Sequence, residues 1–314
     1  NSTFTSVGNY GLRVQGVGIG TGGGNYSNNT VVGASALYTN TTGLNNTSIG
    51  FEASKSNNSG NNNTAVGYKA GTRNANGATA IGSSALTVNT GDDNTGIGAS
   101  ALLRNTTGIN NIAIGSAAFS YNTSGNNNVV MGYQALLSSV SNSSNDNTAI
   151  GFKSMFNNTI GSQNSVLGYQ TLYNNASGTD NVALGYTAGQ YFGAGTSALT
   201  NSSQSIFVGS NVRAGTNSST NEVVIGYGSI GNGSNTVTIG NSSTMANYFK
   251  GSINLTGNVN GGTWSGTTIS VTKGGTGLTS VGSNGQVLSS DGTNMVWSNA
   301  GSSGVPYTGA TGAA

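Results

Sequence analysis

No cysteine and no histidine occur among the 314 residues. Their absence excludes disulfides, thiolate nucleophiles, zinc-finger sites and a Ser-His-Asp triad. Charge is scarce as well. Nine basic residues stand against 7 acidic ones, and only 5% of the chain is charged, where a soluble domain carries about 25%. No basic run exists, so nothing offers an electrostatic footprint for nucleic acid or anionic lipid. No stretch approaches the roughly 18 consecutive apolar residues of a spanning helix, and no membrane insertion is expected. Low charge with modest apolar content describes a disordered chain only when β-branched and aromatic residues are missing too. Here Val, Ile, Leu and Tyr recur at fixed intervals, among 53 glycines and abundant Asn, Ser and Thr. Asn1 is not an initiator Met and opens no signal peptide, which reads as a mature or truncated piece of something longer.

The recurrence has one grammar: Asn, three residues ending in an aliphatic, then Gly. It appears as NTVVG, NTSIG, NTAVG, NTGIG, NIAIG, NVVMG, NTAIG, NSVLG and NVALG, with repeat glycines at Gly33, Gly50, Gly67, Gly82, Gly98, Gly115, Gly132, Gly151, Gly168 and Gly185. Weaker copies end at Gly209, Gly226 and Gly240. Neighbouring glycines are separated by 17, 17, 15, 16, 17, 17, 19, 17, 17, 24, 17 and 14 residues, the 24 marking an insertion near Gln190 to Thr200. Four residues before the glycine stands Asn, as in Asn29, Asn46, Asn63, Asn94, Asn111, Asn128, Asn147, Asn164 and Asn181. Directly before it stands an aliphatic such as Ile49, Ile114 or Leu184. Three after it stands a small residue such as Ala36 or Ala101, and next comes a large apolar one such as Leu37, Leu102, Phe119 or Leu172. NTTG and NTSG tracts between copies are turn chemistry.

A period of 17 is too short for helical-repeat solenoids. It suits one coil of a parallel β-solenoid with two short strands and two tight turns, stacked about 4.8 Å apart. The aliphatics before the glycines are then expected to form a core ladder, the Asn column a hydrogen-bonded turn ladder, and the glycines the sites of bends or close backbone approach. Thirteen such coils reach roughly 60 Å. With two or three apolar side chains per layer the interior is thin. Burial of a second face in a homo-oligomer is therefore expected, with three-fold closure natural for a rod.

The copies NTAVGYKA, NTAIGFKS and NVALGYTA resemble the SVAIG-type repeats in the head of Yersinia-type trimeric autotransporter adhesins, over about residues 25 to 245. The resemblance implies a left-handed parallel β-roll three chains wide, although the coil here is longer than the family's. After Asn241 the period breaks. Runs such as SINLTGNVN and TTISVT read as strands, and GGTG, SNG and SDG as turns. The stretch KGGTGLTS followed by GQVLSSDGTNMVW resembles the GGTG-containing modules of bacteriophage tail fibres, and VPYTGATGAA resembles the opening of a further module. The expected division is an N-terminal β-segment at 1–24, the β-roll at 25–245, a tail-fibre spacer at 246–300 and a truncated module at 301–314.

Few residues invite a chemical role. Asp92 and Asp93 are the one adjacent acidic pair, but glycosidase carboxylates face each other across about 5 to 10 Å, whereas neighbours on a turn diverge. A solvated turn is one reading and weak cation binding between chains the other. GVGIGTGGG lacks the Lys-Ser/Thr ending and the helix of a phosphate loop. Phe51, Tyr68, Tyr133, Phe152, Tyr169, Tyr186 and Tyr227 directly follow repeat glycines, share a face with the aliphatics by alternation unless the glycine breaks the strand, and read either as packing or as a sugar-stacking surface. Thr30, Thr47, Thr64, Thr79 and Thr95 form a single column, read as structural where ice-binding solenoids present two. No catalytic, cofactor or metal site is assigned, and receptor-binding residues are not identified. The expectation is a non-enzymatic, all-β, homotrimeric shaft segment of a phage tail fibre in the virion. It would contact a host-surface receptor such as a glycan and adjoin other fibre or baseplate proteins. The alternative is a bacterial trimeric adhesin at the cell surface, and a polysaccharide-cleaving tailspike is disfavoured by the scattered acids.

Overall fold

The computed structural model describes residues 12–14, 17–25, 28–71, 73–138, 142–244, 246–251, 254, 283–284, 286–290 and 295–299. It divides into two compact units, Asn1–Tyr248 and Phe249–Ala314. The described residues are all-β, with no α-helix and a single three-residue 3-10 turn at Gly23–Asn25.

In the first unit the repeats fold as a parallel β-solenoid. Its strands are β3 (Thr30–Val32), β4 (Thr47–Ile49), β5 (Thr64–Val66), β6 (Thr79–Ile81), β7 (Thr95–Ile97), β8 (Ile112–Ile114) and β9 (Val129–Met131). They continue as β10 (Thr148–Ile150), β11 (Ser165–Leu167) and β12 (Val182–Leu184). A hairpin of β13 (Tyr191–Phe192) and β14 (Ser197–Ala198) then intervenes before β15 (Ile206–Val208), β16 (Val223–Ile225) and β17 (Val237–Ile239). The thirteen solenoid strands pair in parallel and in column register, Ile112 with Val129 and Val129 with Thr148, through about twelve turns. At about 4.8 Å per step this spans roughly 58 Å. The β13–β14 hairpin is the insertion behind the 24-residue spacing from Gly185 to Gly209, extruded so that β12 still pairs directly with β15. At the other end β1 (Leu12–Val14) and β2 (Val17–Gly20) form an antiparallel hairpin whose second strand pairs antiparallel with β3. The first coil's edge is thereby covered rather than left open.

Two expectations about the coil are corrected. Each coil has one three-residue strand among the described residues, not two. The opposite side is a run of turns in which non-glycine residues adopt positive φ, among them Ser100 at 59°, Leu102 at 50° and Phe119 at 48°. Left-handed backbone costs an L-residue about 1–2 kcal/mol. It is retained because the amides still reach the next coil, with Leu102 N donating to Ala118 O at 3.0 Å and Phe119 N to Ala135 O at 3.0 Å. The second correction concerns the core. The aliphatics before the repeat glycines lie outside it, with Ile49, Ile81, Met131, Leu167 and Leu184 exposed. A strand alternates its faces, and in a three-residue strand only the middle residue points in. Those middle residues are small in most coils, as in Ala65, Ala80, Ala113, Ala149 and Ala183. They share the interior with the alanine column (Ala36, Ala53, Ala101, Ala118) and the Leu37, Leu86, Leu102, Phe119, Leu136, Met155 and Leu172 column, all fully buried. Three inward side chains per layer match the expected thin core. Where the middle residue is large, as Phe207, the Leu column holds Gly189, whose added Cβ would lie 3.0 Å from the Phe207 ring.

The Asn column forms the expected ladder. From Asn111 to Asn181 each side chain donates Nδ2 to the Oδ1 of its predecessor, Asn111 to Asn94 at 3.0 Å, Asn128 to Asn111 at 2.9 Å and Asn147 to Asn128 at 3.1 Å. Each Oδ1 also accepts the next backbone N–H, as Asn111 Oδ1 from Asn128 N at 3.0 Å. A second buried Asn column runs through Asn40, Asn57, Asn105, Asn122, Asn158 and Asn175, with Asn40, Asn105 and Asn122 in the NTTG and NTSG tracts and side-chain bonds between coils at Asn89, Asn105 and Asn122. Asn122 closes its turn by accepting from Gly125 N at 2.9 Å and donating to Gly125 O at 3.0 Å. Near the end Glu222 takes the Asn position, fully buried, and its carboxylate accepts from Gly233 N at 2.7 Å and Gly215 N at 3.1 Å. The repeat glycines sit at φ of 125° to 142° from Gly33 through Gly226, a region essentially closed to other residues. They also stack, so that a Cβ on Gly115 would stand 2.5 Å from Gly132 O.

The second unit is described mainly by β18 (Gln286–Ser290) and β19 (Met295–Asn299), an antiparallel hairpin with Leu288 opposite Trp297. The expected TTISVT strand, the GGTG turn and the 301–314 module lie outside the described residues, as does all of SINLTGNVN but Asn254.

Two substitutions test this architecture by chemical denaturation. Gly115→Ala should lose about 3 kcal/mol through backbone strain and the clash with Gly132, and Asn111→Ala about 2–3 kcal/mol by orphaning buried partners in both neighbouring coils. A loss below 1 kcal/mol for either would show that the column it belongs to does not hold the coils together.

Candidate functional site

The outward side of the single strand carries two residues per coil, and the position after the repeat glycine carries a third. Together they lay an apolar band along the solenoid. The position before each glycine contributes Ile49, Ile81, Met131, Leu167 (50% exposed), Leu184 (45%), Ile225 and Ile239. The first strand position begins as the Thr30, Thr47, Thr64, Thr79 and Thr95 column and turns apolar further on, with Ile112, Val182, Ile206 and Val237 exposed. The aromatics after the glycines are exposed as well, Tyr186 at 53%, but each strand ends before its glycine, so strand alternation does not itself assign them to the aliphatics' face.

Because coils stack in register, these rings stack on one another. Tyr133 and Phe152 lie 5.5 Å apart, Phe152 and Tyr169 5.1 Å, and Tyr169 and Tyr186 4.9 Å, with interplanar angles of 19°, 5° and 7°. Phe51 and Tyr68 make a separate pair at 5.8 Å. A second stack, Phe156 on Tyr173 at 5.0 Å, stands beside the first. Lys153 Nζ sits 5.4 Å from the Phe152 ring and 5.2 Å from that of Phe156, a cation held over aromatic faces. Burial at its stack holds the Tyr173 hydroxyl above its ordinary pKa, with lesser contributions from Tyr169 and Tyr191.

The other candidates fall where turn chemistry places them. Asp92 accepts from the Asn76 backbone N at 2.8 Å, and Asp93 occupies a left-handed turn position at φ 56°, as do Asp146 and Asp180 in their own coils. Asp and Asn tolerate that conformation best, which accounts for these three of the 7 acids one coil at a time. Among the described residues no three His, Cys, Asp or Glu converge on a metal-sized site. In GVGIGTGGG, Val17–Gly20 is β2, and Gly23 packs so closely on the next coil that a Cβ would stand 2.5 Å from Tyr38 O.

Ion pairs among the described residues gather at one place. Glu52 Oε1 accepts from Lys55 Nζ at 2.6 Å, and Lys69 Nζ lies 3.8 Å from Oε2. The Lys55 hydrogen bond and the charges of Lys55 and Lys69 hold the Glu52 carboxyl below its usual range, against a smaller opposing effect of partial burial. Lys69 is held above the ordinary ammonium value by the Tyr68 hydroxyl and by Glu52. Compared with known protein families, curated proteins and solved structures, the chain gives no match.

A lowered carboxyl means that any stabilisation from this pair is present above the ordinary glutamate value of 4.5 and is lost as pH falls through the depressed midpoint. NMR titration should place the Glu52 midpoint below 4.5, and Lys55→Gln should raise it. An unmoved midpoint would show that the Lys55 contact does not persist in solution.

Proposed function

We propose that the chain is a structural and adhesive shaft segment of a homotrimeric phage tail fibre, non-catalytic, extracellular in the virion and serving attachment to a host surface. The observation that carries this reading is the exposed band of aliphatics and stacked aromatics on a solenoid only three inward side chains thick. Contiguous exposed apolar surface on such a scale marks an interaction face. A face repeated coil after coil suits a second and third copy of the same rod, since each copy offers the same period and the same rise. The left-handed, three-chain arrangement is what the adhesin-like repeats imply. The tail-fibre assignment, with adjoining fibre or baseplate proteins as further partners, draws on the KGGTGLTS…GQVLSSDGTNMVW pattern, in which Gln286–Ser290 and Met295–Asn299 form a hairpin. The bacterial adhesin is the second reading, favoured by the repeats taken alone. The aromatic stack is also suited to sugar faces on any stretch that the trimer leaves open.

Light scattering on the intact protein should give three times the 31.1 kDa chain mass. Leu167→Asp combined with Leu184→Asp, which alters only outward positions, should yield folded monomers with the β-sheet circular dichroism retained. A monodisperse wild-type monomer, or a trimer indifferent to both aspartates, would overturn this face as the assembly surface.

A further inference from the structure

The Leu column inside the solenoid is interrupted in two consecutive coils. Leu37 and Leu86 are fully buried on either side, and between them the same position is Ser54 and then Gly71. The coil that carries Gly71 is also a short one, 15 residues from Gly67 to Gly82. With two large side chains missing from the stack, a groove of about 280 Å³ opens there, lined among others by Glu52, Ser54, Lys55, Lys69, Arg73 and Thr87.

Three of the chain's 9 cations meet one carboxylate in this groove, a local formal charge of +2 that equals the net charge of the whole sequence. Glu52 holds the two ammonium groups in place from one side. The Arg73 guanidinium makes no ion pair among the described residues. Ser54 is 2% exposed and its Oγ has no hydrogen-bond partner among the described residues. Ser48 and Ser154 also have buried hydroxyls without partners among the described residues, but of the three only Ser54 lines the groove. Buried polar atoms are normally satisfied; this one is itself closed off beside Gly71, and a turn of the side chain into the groove it lines would let an oxygen of something bound satisfy it. The stacked Phe51–Tyr68 pair immediately precedes Glu52 and Lys69 in the chain, and Lys69 Nζ lies 5.1 Å from the Tyr68 ring centroid. An aromatic face therefore borders the cations.

We propose that this notch binds the charged group of an acidic saccharide, a carboxylated or phosphorylated sugar. Lys55, Lys69 and Arg73 would meet the anionic oxygens, and the Ser54 hydroxyl would meet a further ligand oxygen. The volume lies just under the about 300–1,000 Å³ of small-molecule sites, which suits one charged sugar unit rather than a long chain. Charge-assisted bonds to an oxyanion are the strong class, and Glu52 competes with the ligand for two of the three cations. The site deepens the attachment reading, and its biological meaning rests on that reading; the residues that line it are distinct from those of the assembly face, which it adjoins at the Phe51–Tyr68 pair.

Isothermal titration calorimetry on the intact protein, with galacturonic acid, glucose 6-phosphate and neutral galactose as probes, tests it. Saturable binding of at least one charged sugar is expected, weakened by added salt, with no binding of galactose; which charged sugar binds identifies the anionic group. Ser54→Leu refills the column, at a φ of 47° that Leu136 also adopts at 47°, and should weaken binding by about tenfold or more. Lys69→Gln with Arg73→Gln should do the same without touching the core, so the test survives if Ser54→Leu misfolds. Glu52→Gln should tighten binding by about threefold by freeing the ammonium groups. No saturable heat from either charged sugar, equal affinity for galactose, or binding unchanged in the Lys69/Arg73 variant would overturn the site. The oligomeric mass of the same sample keeps the two readings apart. A trimer that does not bind refutes only the notch, and a monomer that binds refutes only the assembly face.

Discussion

Register between successive coils is the constraint on which the rest of this structure depends. Every coil contributes three strand residues and a turn run, too little to stand alone, and its amides are satisfied by the coils above and below. Thr47 N donates to Asn63 O, Gly50 N to Val32 O and Leu102 N to Ala118 O. Once those bonds fix the stacking, each sequence column becomes a physical line, and side chains that are distant in the chain lie one rise apart. The Asn ladder, the glycine stack and the aromatic stack all follow from it.

The same constraint explains why the interior is made of small residues. A three-residue strand turns one side chain inward, and the returning run turns in two, so each layer holds only three. Alanine, leucine and an occasional Phe or Met fill that space, and departures are compensated locally, as Gly189 yields to Phe207. Where two coils in succession depart without compensation, at Ser54 and Gly71, the surface opens into the cationic notch. A repeat protein thus acquires an individual site by breaking its pattern rather than by adding to it.

The outward band has a different origin. Its residues are as regular as the core, yet among the described residues nothing covers them. An apolar column that every coil repeats, beside rings that stack at 4.9 to 5.5 Å from Tyr133 to Tyr186, is a surface organised along the solenoid axis. The proposed trimer and the proposed adhesion would both use that one geometry and differ in who supplies the covering surface.

Much of the fold was legible in the chain because the repeat encodes it. The period set the solenoid, the Asn column announced its ladder, and the repeat glycines marked where no Cβ fits against the next coil. The inside and outside of the strand were not legible, because Val, Ile and Leu before the glycines look like core in composition. Only the backbone showed that the residue between them and the Thr column points inward. Nor did the sequence reveal the second strand's replacement by left-handed turns, since Leu102 and Phe119 carry no local signal for positive φ. Of the notch, the sequence held the shortened spacing from Gly67 to Gly82 and the lost leucines. That Lys55, Lys69 and Arg73 converge there was decided by tertiary structure alone, because charges up to 18 residues apart meet only when stacking brings neighbouring coils side by side.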